Sequence, residues 1–271
     1  MKRFRYFLLF WCAIICIVLY SCQKDEAFDN NYEKYSLSIG DTRSVDYQTT
    51  MESDDCMGII RPSDCYHYPY LPGTEAWKEL HNQGLDVVYD ACKISNDVLN
   101  KLSTEAVIQA FFDYPFISSI YAFNTMLEGY SNMLKKNSAY AEILKRGDAA
   151  SILVERYKKY NTIGCDAAIY HASELELLLA QPEIYSMFDK DQCKAIVKEA
   201  LNKINARLSY DSSLKWQHIN TCLMMGRLMV SADYGAFKES VANSEALKRF
   251  LDSQDYSFQD YEFIILFAQN Y

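Results

Sequence analysis

The chain has 271 residues, half of them apolar, with 14% aromatics and a formal net charge of −9. That length buries one sizeable core, or two small ones, without covalent staples. An acidic balance with no long Lys/Arg run argues against nucleic acid or an anionic lipid surface as partner, and leaves small neutral ligands, glycans and proteins open.

Residues 1–21 have the layout of an export signal. Lys2, Arg3 and Arg5 precede an uncharged apolar run, residues 6–20, which is shorter than the roughly 18 residues of a membrane-spanning helix. A positive start, a short apolar core and a small residue at its end spell a removable leader; the competing reading is an uncleaved signal anchor. The string "LYSC" at 19–22 resembles the bacterial lipobox, with Leu19 at −3, Ser21 at −1 and then Cys22. Tyr20 at −2 is bulkier than the family's usual residue. The resemblance implies a diacylglyceryl group on the Cys22 thiol, cleavage between Ser21 and Cys22, and acylation of the new amino terminus by a palmitate-like chain. Each buried methylene contributes about 0.8 kcal/mol, so two or three chains anchor stably where one does not. The string "QKDE" at 23–26 resembles the lipoprotein export signal of Bacteroidota. It implies an outer-membrane lipoprotein facing the cell exterior, with the periplasmic face as the alternative. Its membrane contact is then the covalent lipid on Cys22.

Loss of the leader's three basic residues takes the formal charge from −9 to about −12. Residues 22–55 read as a flexible acidic tether, with too few aliphatics to offset the entropy of ordering. Residues 56–73, "CMGIIRPSDCYHYPYLPG", hold three of the five prolines and read as a Pro/Tyr-rich capping loop. Residues 74–271 read as one helical domain. Ser103 is the N-cap of "STEAVIQAFFDY", which Pro115 ends. "SSIYAFNTMLEGYSNMLKK" reads as one helix from Ser118. "SAYAEILKR" runs to Gly147, and Asp148 caps "AASILVERYKKY". "CDAAIYHASELELLLAQ" stops before Pro182. The clearest helix is 189–208, where Asp189 and Gln192 form a capping box. There Cys193, Ile196, Val197, Ala200, Leu201, Ile204 and Leu208 make an apolar stripe, and Lys194, Lys198, Glu199, Lys203 and Arg207 are expected on the wet side. "LKWQHINTCLMMGRLMV", "YGAFKESV", "SEALKRFLDS" and "FQDYEFIILFAQNY" complete the series.

The expected fold is all-α, an irregular bundle or solenoid-like array of about ten helices, with no fixed repeat period. "LPGTEAWKEL", "STEAVIQAFFDYPF", "YAFNTMLEGY" and "AEILKRGDAASILVERY" resemble a group of uncharacterised secreted or lipid-anchored bacterial helical proteins. The resemblance implies an all-α fold and export, and no activity.

Candidate sites are few. Tyr66, Tyr68 and Tyr70 alternate about His67 and Pro69, with Trp77 close behind. In an extended segment the tyrosines share a side and suit stacking on sugars or peptides; otherwise they pin the loop to the helices. Cys56 and Cys65 can pair across a short loop, although spacing cannot fix connectivity. Together with His67 they lack the fourth ligand of a closed zinc site, so no metal and no cofactor is expected. His171 and Glu174 stand at i and i+3 and can meet on one helix face, as a base with its orienter. His218 has no acid within a turn. "LMMGRLM", 223–229, reads as a core helix packed closely at Gly226, or as an adaptable binding face. No residue is assigned to catalysis. The leading reading is a non-enzymatic binding or assembly module on a lipid anchor. A hydrolase acting on envelope or dietary polymer, and a glycan-binding accessory of a nutrient-uptake system, are the alternatives.

Overall fold

A computed structural model describes residues 55–271. The leader, Cys22, the "QKDE" string and the tether up to residue 54 lie outside the described residues. Helix starts are set by side chains that satisfy the first free amides. Thr74 caps α1 (Glu75–His81) and is followed by α2 (Leu85–Ala91) and the single turn α3 (Asn96–Leu99). Ser103 caps α4 (Thr104–Phe112), accepting from the Ala106 amide at 3.2 Å. After Pro115 comes a 3-10 segment (Ile117–Ala122), not the continuous helix expected from Ser118. The chain breaks to extended geometry at Phe123, and Thr125 caps a fresh helix, α5 (Met126–Leu134). α6 (Ser138–Ile143) begins at an Asn137 cap and ends short of Gly147. Asp148 precedes α7 (Ala149–Lys159), its carboxylate accepting instead from the Thr104 hydroxyl at 2.7 Å.

The second half follows the expected order. α8 (Asp166–Leu179) gives way to the short α9 (Pro182–Tyr185), with proline at its first turn. α10 (Lys190–Tyr210) opens with both halves of the Asp189/Gln192 capping box formed. A 3-10 segment (Ser212–Gln217) leads into α11 (His218–Ser231). α12 (Gly235–Ala242), α13 (Glu245–Ser253) and α14 (Tyr261–Gln269) close the described chain. The fold is all-α, and no strand occurs among the described residues.

α11 is the hub of the second half. α8, α9, α10, α12, α13 and α14 all pack on it, which makes this part a bundle round a central helix. A helix wrapped on most sides must be apolar on most sides. Met224, Met225 and Met229 are accordingly buried, and a Cβ on Gly226 would stand 2.5 Å from Leu251 Cδ2. The "LMMGRLM" segment is therefore core and presents no binding face. Arg227 at its edge donates to the carbonyls of Leu251, Ala180 and Asp252 at 2.6, 2.8 and 3.0 Å, serving the open C-terminal ends of α8 and α13.

The segment before α1 has little regular structure and is held by discrete fastenings, with Met57 and Tyr68 buried. A helical turn at 55–57 is joined to the α7–α8 connection by a disulfide between Cys56 and Cys165, 109 positions apart. The short-loop pairing of Cys56 with Cys65 is thus overturned, and Cys65 is a free thiol. Backbones meet at this junction. The Asn161 amide donates to the Met57 carbonyl at 2.8 Å, and a Cβ on Gly164 would fall 1.9 Å from the Cys56 carbonyl oxygen. Gly58, at φ +70°, adopts the left-handed geometry that glycine takes at little cost. Farther on, Arg61 forks onto Asp113 at 2.7 and 2.9 Å. Asp64 accepts from the amide and hydroxyl of Ser103 at 2.6 and 2.9 Å, bonding to the helix cap itself.

Candidate functional site

The structure takes the aromatic loop apart as a ligand platform. Tyr68 and Trp77 are each only 6% exposed. The Tyr68 hydroxyl donates to the Ala110 carbonyl inside α4 at 3.0 Å, and burial pushes its phenol up. Tyr66 lies edge-on to Tyr68, and Tyr68 to Tyr114; Trp77 leans on Phe116. These rings pin the loop. Tyr66 and Tyr70 are half-buried and His67 is exposed. The segment therefore offers no shared tyrosine face, because Tyr68 has turned inward.

Charge is gathered instead on α8. Its run "ASELELLLA" places Ser173, Glu174 and Glu176 inside the protein. Glu176 has no exposed side-chain surface, and neither has Arg207 of α10, which faces it. The Arg207 guanidinium reaches Glu176 Oε1 at 3.4 and 3.5 Å and donates to Thr221 Oγ1 at 2.6 Å. Thr221 in turn donates to Glu176 Oε2 at 2.7 Å, and the Tyr157 hydroxyl to Oε1 at 3.1 Å. Burial, then the carboxylate beside it, pushes the Tyr157 phenol up, so it stays a donor. Arg207 Nε and Gln217 Oε1 are buried polar atoms without a hydrogen-bond partner among the described residues.

Two residues expected on the wet side of α10 are therefore inside, Arg207 and Lys203. The Lys203 ammonium donates to the Tyr160 carbonyl at 2.7 Å and to Glu199 at 2.9 Å. Both partners of Arg207, Glu176 and Thr221, come from other helices, so the periodicity of α10 alone could not reveal it. The available signal lay in α8, where Glu174 and Glu176 stand at the head of the apolar run 177–180.

His171 and Glu174 do meet. His171 Nδ1 lies 2.5 Å from Glu174 Oε2, with the imidazole 26% and the carboxylate 3% exposed. The Tyr130 hydroxyl donates to the backbone carbonyl of Glu174 at 2.8 Å. His218 is buried on α11. The His171–Glu174 geometry orients an imidazole, but no nucleophile stands with it among the described contacts.

Burial pushes the Cys92 and Cys193 thiols up to about 11 and Cys222 higher, which disfavours their reactive thiolates. Cys65 is half-buried and also raised, by burial first. Cys56 is oxidised onto Cys165, so Cys56, Cys65 and His67 do not form a thiolate ligand set. Among the described residues no group of three or more His, Cys, Asp or Glu is placed to hold a metal ion. Set against protein-family models, curated proteins and solved structures, the chain matches none.

Proposed function

We propose that the protein is a lipid-anchored helical module, displayed on the outer face of the outer membrane, that works by binding or assembly. The observation that carries this reading is the sequence "LYSC" followed at once by "QKDE". The apolar run of the leader, residues 6–20, is shorter than a membrane-spanning helix needs, and its small residue before Cys22 suits processing. No helix among the described residues is long and apolar enough to cross a membrane, which fits a domain held by lipid. The buried charges of α8 favour a structural role for the polar core, because the Glu176 carboxylate bonds to side chains of neighbouring helices, Tyr157, Arg207 and Thr221.

Intact-mass analysis of the membrane-extracted protein tests the anchor. The expected mass begins at Cys22 and carries two or three acyl chains. A mature chain with an unmodified Cys22 thiol overturns the reading. Protease treatment of whole cells tests the address: the domain is shaved from intact cells, and complete protection places it on the periplasmic face. Turnover of an envelope or dietary polymer that is lost in His171→Ala would replace binding by catalysis.

A further inference from the structure

Helix α8 carries two buried carboxylates two positions apart, and they are compensated differently. Glu176 faces Arg207, which keeps its charge at any physiological pH. Glu174 has one side-chain partner among the described residues, His171. Cations on the neighbouring elements are committed elsewhere. Arg207 serves Glu176 and Thr221, Lys203 serves Tyr160 and Glu199, and Arg156 of α7 donates to Gln109 at 2.8 Å. Among the described residues, other titratable groups on that side are the phenols of Tyr130 on α5, Tyr160 after α7 and Tyr121 of the first 3-10 segment. Burial, and next the Glu174 charge for Tyr160 and Tyr130 alike, pushes those two phenols up, so they stay neutral. On the facing helix α11 the titratable groups are His218, Cys222 and Arg227, and Arg227 is held by the carbonyls of Ala180, Leu251 and Asp252.

A buried carboxylate without a cation costs several kcal/mol. One proton shared by His171 and Glu174 removes that cost, wherever in the pair it sits. His171 is exposed enough for solvent to supply it.

We propose that His171 and Glu174 are a proton-operated latch on the N-terminal half of α8. With the proton bound, the pair holds this half-helix against Tyr130 and Tyr160. Without it, Glu174 is a buried charge facing no cation among the described residues, and the half-helix loosens. The pair forms only in the folded chain, so its stabilisation is present in acid and is lost as pH rises through the titration of His171. Glu176, held by Arg207, does not respond. The latch is independent of the lipid anchor and stands whether or not Cys22 is modified.

Hydrogen exchange on the full mature chain between pH 5.5 and 8, corrected for the intrinsic pH dependence of exchange, tests it. Expected is a loss of protection of about tenfold or more over residues 166–174, with α11 unchanged. Glu174→Gln should abolish the pH response, since a buried amide needs no cation. An equal response in Glu174→Gln, or none in the unaltered chain, overturns the proposal. Should that variant not fold, imidazole NMR on the unaltered chain decides. His171 is expected to hold its proton to higher pH in the folded chain than in urea, and the reverse order overturns the latch.

Discussion

Two regions of this protein solve the same problem in opposite ways. The segment 56–73 has little regular structure, and discrete fastenings hold it: the Cys56–Cys165 disulfide, the Arg61–Asp113 fork, Asp64 on Ser103 and the Tyr68 hydroxyl on α4. The centre formed by α8, α10 and α11 is held by continuous packing, and its polar groups survive because each meets another. In the first region stability sits in single groups that can be removed one at a time. In the second a polar residue is stabilising only together with its partner, and its removal exposes the partner's cost.

That contrast can be broken most forcefully at its centre. Arg207→Met alone leaves Glu176 buried without its cation and should cost about 3–5 kcal/mol in a urea titration, whereas Arg207→Met with Glu176→Leu should recover most of the loss. If the double change is as damaging as the single, the pair is stabilising outright and the centre differs less from the capping segment than argued above. Next in size is Cys165→Ser. Opening a loop of 109 residues should cost about 2–4 kcal/mol, and limited proteolysis should then cut first within 56–73. A reductant should reproduce this in the unaltered chain and add nothing to the variant.

Tyr68→Phe removes one fastening of the same segment and leaves the rings in place. It should cost about 1 kcal/mol, as for a single buried hydrogen bond, with no change at α8. The smallest expected signal is a near-absence. At pH 8 a thiol raised to about 11 is ionised in about one molecule per thousand. Native protein should therefore leave Cys92 and Cys193 unlabelled by a thiol reagent while Cys65 reacts slowly, and labelling after denaturation should reach all of them. Fast native labelling of Cys193 would show that the centre opens more readily than its packing indicates.

Much of the fold was legible because it is written locally. Asp189 with Gln192, and Ser103 before its helix, announce caps within four residues, and Gly226 among methionines announces close packing. The break before α5 was hidden because the apolar pattern runs unbroken through Phe123–Thr125 while Thr125 acts as a cap. The candidate site was less legible. His171 and Glu174 share a helix, so spacing alone joined them. The Cys56–Cys165 pair, and Arg207 with Glu176, are joined only by the way distant elements pack. For Tyr68 the sequence left two readings open, stacking on a ligand or pinning the loop, and the choice of pinning depends on a carbonyl of α4.

The disulfide also sets how the molecule bears load. A pull on the chain ahead of residue 55 reaches Cys56 and crosses directly to Cys165 at the head of α8. The intervening 109-position stretch, roughly 360–390 Å of chain when extended, is shunted out of the line of tension. Helices α1 to α7 therefore form a slack covalent ring beside the strained path. A partner gripping that ring would feel little of a force applied at the N-terminal side, while one gripping α8 or α10 would feel it in full.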